Sequence, residues 1–306
     1  MKSQWVKQGL LYSLPENGLH PKLRSHTANP TPVHLHEDTY RIFYSARDAS
    51  NRSSVGAVDI DLATKQIVKA HKQPFLEYGP PGSFFQDGIS LGNYYEASGR
   101  RYLTFMGWQN PPDGHWRGDI GRLILKDDLS LEVESLNPFM RSDESDPVSL
   151  SYPWIMMTGP EHYDMWYGST LTWDAANGEM VHLIKHAESS DGETFKKSPL
   201  QVPHEVGVAQ AFSRPTLLKL GPNDWHMWFS YRGGNGIPYR IGHATSSDGR
   251  TWELSLNRQS LDVSAEGWDS NMVEYPYVFT HKRYIIMLYN GDGYGRSGFG
   301  MATLTL

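Results

Sequence analysis

Cysteine is absent from the chain, which excludes disulfides, thiolate metal sites and a cysteine nucleophile. No stretch approaches the roughly 20 consecutive apolar residues that cross a bilayer. The start, Met1-Lys2-Ser3-Gln4-Trp5-Val6-Lys7-Gln8-Gly9, lacks the apolar core of a leader peptide, so the expected location is cytoplasmic, with no membrane partner. A basic excess is missing too. The 28 Lys and Arg against 34 Asp and Glu leave a net charge of -6 with no long run of either sign, so nucleic acid is not an expected partner. Apolar residues at the 3.6-residue spacing of amphipathic helices are scarce. With 39% hydrophobic and 20% charged residues, the chain is nonetheless too apolar for disorder.

Aromatic and turn residues are plentiful: 10 Trp, 17 Tyr, 11 Phe, 29 Gly and 19 Pro. Short runs of aromatic and β-branched residues, punctuated by Gly, Asn and Asp, predict strands and hairpins. The expected fold class is all-β.

The chain also repeats itself. One unit runs from Asn29-Pro30-Thr31-Pro32-Val33 into Tyr40-Arg41-Ile42-Phe43-Tyr44. Similar units open at Asp87-Gly88-Ile89-Ser90-Leu91, Ser151-Tyr152-Pro153-Trp154, Ser213-Arg214-Pro215-Thr216 and Glu274-Tyr275-Pro276-Tyr277. With Pro30, Ile89, Pro153, Pro215 and Pro276 taken as equivalent, the spacings are 59, 64, 62 and 61 residues. Each unit continues with a strand of small residues, such as Val55-Gly56-Ala57-Val58. A turn follows, clearest in Ser190-Asp191-Gly192 and Ser247-Asp248-Gly249, where Asp-Gly suits a two-residue hairpin. Four antiparallel strands per unit, repeated radially, build a β-propeller. The expectation is one domain, a five-bladed β-propeller with blades at about 27–80, 81–140, 145–205, 206–262 and 263–306 plus 4–11. The N-terminal strand Trp5 to Leu11 would complete the last blade and close the ring, removing exposed edges.

Residues opening the inner strands should surround one mouth of the central channel, where propeller ligands sit. They are His26 to Asn29, Gln86-Asp87, Ser151-Tyr152, Ser213-Arg214 and Glu274-Tyr275; the second-strand ends add Arg47, Trp108, Arg232 and Asp292. Aromatic faces, carboxylates and arginines at one locus suit carbohydrate: rings stack on sugar faces, and charged forks take hydroxyls, carboxylates or phosphates.

Units such as Ser213-Arg214-Pro215-Thr216-Leu217 with Met227-Trp228-Phe229-Ser230-Tyr231-Arg232, and Ser247-Asp248-Gly249-Arg250-Thr251-Trp252, resemble the five-bladed propeller glycoside hydrolases: arabinanases, β-xylosidases, invertases, levansucrases and the related mannoside phosphorylases. The resemblance spans all five units and implies a carbohydrate-active enzyme. Hydrolases of that group usually place an Asp at the start of the first inner strand, a second Asp in a following blade and a general-acid Glu in a later one. Here the first position is Asn29, Asp87 stands in unit two, and the best Glu, Glu274, lies in unit five. Two carboxylates flanking a glycosidic bond suffice for hydrolysis. The expected catalytic pair is therefore Glu274 as acid, its pKa raised by Tyr275 and Tyr277, and Asp87 as base. His26, Asn29, Arg47, Trp108, Arg214, Arg232, Tyr275 and Asp292 would bind substrate. Two alternatives stay open: phosphorolysis or glycosyl transfer on a phosphorylated or acidic sugar, with arginines and His26 as an anion pocket, and saccharide binding without turnover. His34 and His36 alternate like a metal pair but have no third ligand at suitable spacing, so no metal or cofactor is expected.

Overall fold

The computed structural model describes residues 4–112, 114–257 and 259–305; Met1 to Ser3, Asp113, Arg258 and Leu306 lie outside the described residues. The fold is nearly all β. Among the described residues one helical turn, Asp292–Gly295, interrupts the strands, and Gly293 and Tyr294 within it are left-handed.

Strands pair as antiparallel meanders in chain order. Ser25–His36, Thr39–Arg47, Ser53–Asp61 and Gln66–Ala70 form the first set. Gly88–Ala97, Arg100–Gln109, Arg117–Leu125 and Leu131–Val133 form the second. The third comprises Ser149–Gly159, His162–Thr172, Val181–Ser189 and Lys196–Gln201. The fourth comprises Ala211–Gly221, Asp224–Arg232, Arg240–Ser246 and Glu253–Leu254. In the fifth, Glu274–His281, Tyr284–Asn290 and Phe299–Thr305 are followed in the sheet by Val6–Tyr12, which pairs antiparallel to Phe299–Thr305.

Burial explains the composition. The second and third strands are covered on both faces, so Thr39–Arg47 and Ser53–Asp61 are buried almost throughout and read as continuous apolar runs rather than alternating ones. The outer strand Gln66–Ala70 is almost fully exposed and carries Gln and Lys.

Register corrects two expectations. Every inner strand contains a bulge at which two residues face one on its partner: Asn29-Pro30, Gly92-Asn93, Tyr152-Pro153, Arg214-Pro215 and Tyr275-Pro276. The equivalent of Pro30 in unit two is therefore Asn93, not Ile89, and the four spacings become 63, 60, 62 and 61. Unit two hid this because it has no proline at the bulge. The Asp-Gly turns are not two-residue hairpins either, since the strands they join end at Ser189 and resume at Lys196, and end at Ser246 and resume at Glu253. Instead the Asp191 carboxylate accepts the Glu193 and Thr194 N–H groups, which hold its pKa down at about 2, a local side-chain turn.

Four bulge residues are strained. Asn29, Tyr152, Arg214 and Tyr275 have φ of 57°, 34°, 48° and 53°, although each precedes a proline, which disfavours helical backbone. Such conformations cost about 1–3 kcal/mol each and gather at functional sites. At the fifth position a Cβ on Gly92 would collide with Thr104 Oγ1 and the Pro153 carbonyl.

Candidate active site

Three of the five bulges, through Asn29, Tyr152 and Tyr275, reach the lining of a cavity of about 410 Å³. Asn29 and Tyr152 lie on its inner side, with Tyr275 beside them; the Tyr152 and Tyr275 rings are tilted together at 5.3 Å. Arg47, Trp108, Asn110 and Met180 also line it, as do Trp116 beside His182 and Arg232 beside Tyr239 and Tyr294. Of the expected site residues, the structure brings Asn29, Arg47, Trp108, Arg232 and Tyr275 together here.

Glu274 stands immediately behind this lining. It pairs with Asn290 across the strands, in the position that Ala28, Leu91, Ser151 and Ser213 occupy in the other units. Three of those four, Ala28, Ser151 and Ser213, line the cavity, so the repeat puts Glu274 in the same layer. Its side chain is fully buried and, among the described residues, neither carboxyl oxygen has a hydrogen-bond partner. Burial raises its pKa well above the usual carboxyl range, against the pull of Arg232 and Arg47. A buried carboxyl without donors keeps its proton. Ionising it would raise the pKa of Tyr152, Tyr239 and Tyr275, so the carboxyl is coupled to three cavity side chains.

The arginines divide by role. Arg232 is committed: its guanidinium pairs with the buried Glu179 at 2.6 Å, reaches the Tyr294 hydroxyl at 3.3 Å and lies 4.5 Å over the Tyr239 ring. Arg47 lines the cavity with no ion pair to its side chain among the described residues, which leaves its fork available for a ligand. Together with Arg296 it acts on His26; burial first, then these two charges, holds the imidazole down to about 4 and therefore neutral.

The remaining expected residues are placed elsewhere. Arg214 is buried and does not line the cavity; it donates to the carbonyls of Tyr275 at 2.7 Å, Pro30 at 2.9 Å and Gly92 at 3.2 Å, and to Thr31 Oγ1 at 2.9 Å. From unit four it thus ties units one, two and five, and burial lowers its pKa to about 9. The anion-binding role expected for it is corrected to a structural one, because its hydrogen bonds go to protein oxygens. Asp87 accepts the Asn110 N–H at 2.7 Å and Gln86 Nε2 at 3.3 Å, bracing the loop after Trp108. By register Leu91, not Asp87, matches Glu274. Asp87 precedes the strand Gly88–Ala97 in a bend and is not among the described residues lining the cavity, although Asn110, whose N–H it accepts, is. Asp292 accepts the N–H groups of Asn271 and Met272 at 2.9 and 2.8 Å and braces that loop instead of lining the cavity. His26 is half-buried and outside the lining.

Trp116, Met180, His182, Tyr239 and Tyr294 line the cavity without having been expected there. His182 sits between the Ser151 and Thr170 hydroxyls, both at 2.6 Å, and burial pushes its pKa down to about 3. These residues follow loops or open third strands and carry no mark of the repeat, so spacing could not single them out.

With this geometry in view, the relatives divide by fold and by sequence. Solved structures sharing the fold include a glycoside hydrolase (TM-score 0.74, 15% identity, 99% of this chain and 92% of that one) and the endo-arabinase from Bacteroides thetaiotaomicron VPI-5482 (0.67, 12%, 94% and 96%). A third is a structure from the GH130 family of mannoside phosphorylases, which contains glycoside hydrolases that target beta-1,2 mannosidic linkages in Candida mannan (0.69, 14%, 99% and 94%). The fold is that of the propeller glycoside hydrolases. No protein-family model matches the chain. In sequence it is 39% identical over 302 residues to the uncharacterized proteins MT1551 and Rv1502 of Mycobacterium tuberculosis, strains CDC 1551 / Oshkosh and ATCC 25618 / H37Rv, covering 98% of this chain and 99% of each. The chain belongs to the family of these two mycobacterial proteins.

Proposed function

We propose that the chain is a carbohydrate-active enzyme that cleaves a glycosidic bond with Glu274 as its acid. The observation that carries this reading is the fully buried Glu274 carboxyl, unpaired among the described residues and with its pKa raised by burial, behind a cavity walled by tyrosine, tryptophan and arginine. Its proton goes to the leaving glycosidic oxygen, which takes the electron pair of the C1–O bond as that bond breaks. The screening tyrosines must give way for the saccharide to reach it. The domain is read as one five-bladed propeller, its last blade completed by Val6–Tyr12.

The nucleophile decides the reaction class. Water needs a base to take its proton, and no Asp or Glu is among the described residues lining the cavity. Inorganic phosphate is already an anion; one of its oxygens forms the new bond to C1, giving a sugar phosphate. Arg47 supplies the fork to hold it. The geometry therefore favours phosphorolysis, or cleavage of a substrate bearing its own phosphate or carboxylate. A likeness in fold to the GH130 structure is consistent with this. Hydrolysis remains the second reading, favoured by the two hydrolase folds above.

The test is a panel of oligosaccharides assayed for reducing sugar and for sugar phosphate, with and without phosphate, in wild type and Glu274→Gln. Phosphate-dependent turnover that disappears in the variant is expected. Turnover unchanged in Glu274→Gln removes Glu274 from the reaction, and turnover indifferent to phosphate selects hydrolysis.

A further inference from the structure

Tryptophan is the largest apolar side chain, and this fold uses most of its ten as core. Trp5, Trp154, Trp166, Trp225, Trp228, Trp252 and Trp268 all belong to, or pack against, the hydrophobic clusters between the sheets. Trp108, Trp116 and Trp173 belong to none of them. All three gather at the cavity: Trp108 and Trp116 line it, and Trp173 meets Trp116 edge to face at 4.8 Å. His115 stacks on Trp173 at 4.6 Å with 21° between the planes. Trp116 and Trp173 are half-buried and His115 is exposed, and Trp173 itself is not part of the cavity lining. The aromatic surface thus leaves the cavity through Trp116 and continues outward.

We propose that Trp116, Trp173 and His115 form a second saccharide subsite outside the cavity, so that the natural ligand is an oligosaccharide whose next ring rests on this platform. This rests on the carbohydrate reading of the cavity. Three elements converge to build the platform: the segment before Arg117–Leu125 contributes His115 and Trp116, the end of His162–Thr172 leads into Trp173, and His182 on the following strand backs Trp116 at 6.2 Å. Half-exposed indoles add little to core packing, while an indole face in contact with the C–H face of a sugar removes apolar surface from water on both. Trp173 and His115 lie outside the cavity lining, so the subsite sets the length of the ligand rather than the chemistry.

The experiment screens wild type on an array of neutral and phosphorylated glycans from mono- to hexasaccharides. Isothermal titration of the best-bound oligosaccharide and of its terminal monosaccharide then follows, for wild type, Trp173→Ala and Trp173→Phe. The expected result is an oligosaccharide bound at least tenfold more tightly than the monosaccharide, a ratio that collapses in Trp173→Ala and is largely kept in Trp173→Phe. Far-UV circular dichroism and melting curves verify that the variants fold. Equal affinity for both lengths in wild type, or a ratio unchanged by Trp173→Ala, overturns the outer subsite while leaving the cavity reading intact. No glycan bound by wild type overturns both.

Discussion

Replacing Glu274 by Gln removes one titration and keeps nearly the same shape. In the wild type the folded state holds the Glu274 proton to a pH well above the ordinary carboxyl value of 4.5, whereas the unfolded chain releases it near that value. The stability that protonated Glu274 contributes is therefore full below about pH 4.5 and declines as pH rises toward the folded pKa. While the folded carboxyl stays protonated, each pH unit costs the wild type about 1.4 kcal/mol relative to a side chain that does not titrate. A chain of this length has an unfolding entropy of roughly 0.6 kcal/mol per kelvin, so each such pH unit is on the order of 2 °C in Tm. Melting curves of both proteins at pH 5, 6 and 7 should show the Tm of Glu274→Gln rising relative to wild type for as long as the folded carboxyl holds its proton. All other titrating groups are common to the two proteins and cancel. Parallel Tm profiles would refute the reasoning, since they would mean that Glu274 ionises alike in the folded and unfolded states.

Other outcomes follow from the same structure. His182, held neutral with a pKa of about 3, binds a proton in the unfolded chain below its ordinary value of about 6.5; stability is lost as pH falls from there, and His182→Asn should flatten the Tm profile between pH 4 and pH 6. A slope there identical to wild type would remove His182 as its source. Arg214→Met removes the guanidinium donors from the carbonyls of Tyr275, Pro30 and Gly92, of which Gly92 keeps Thr31 Oγ1 as a donor, and should cost about 3–5 kcal/mol in denaturant unfolding; a loss under 1 kcal/mol would deny its bridging role. Asp87→Asn keeps an acceptor for the Asn110 N–H and should lower kcat less than tenfold on any substrate found, whereas a loss of a thousandfold would return Asp87 to the reaction. Deleting residues 1–12 uncovers the edge of Phe299–Thr305 and removes Trp5, Leu11 and Tyr12 from the core; chromatography should show aggregated protein, and a monomer with unchanged Tm would contradict the edge-sealing role.

The strands were legible in the sequence because each second strand, such as Tyr40-Arg41-Ile42-Phe43-Tyr44, is covered on both faces and announces itself as an apolar aromatic run. The pairing of the N-terminal segment with the last strand followed from an unfilled edge. The repeat failed at unit two, where Gly92-Asn93 forms the bulge without a proline, and that four-residue slip brought Asp87 into a layer it does not occupy. Arg214 misled for a different reason. Its position in the chain is that of Tyr152 and Tyr275, which do line the cavity, but only coordinates reveal that its side chain turns onto carbonyls of three other units. Glu274 stood out because it is a glutamate opening an inner strand, where the repeat directs residues toward the channel mouth. Trp116, Tyr239 and Tyr294 reach the cavity from loops and strand ends, whose paths no periodicity encodes.

The most direct test is a crystal structure of Glu274→Gln with the best-bound oligosaccharide. The account predicts a sugar ring in the cavity among Trp108, Tyr152 and Tyr275, with its glycosidic oxygen within about 3.2 Å of the residue 274 side chain. A saccharide bound elsewhere on the molecule, or one in the cavity with residue 274 still sealed behind the tyrosines, would contradict it.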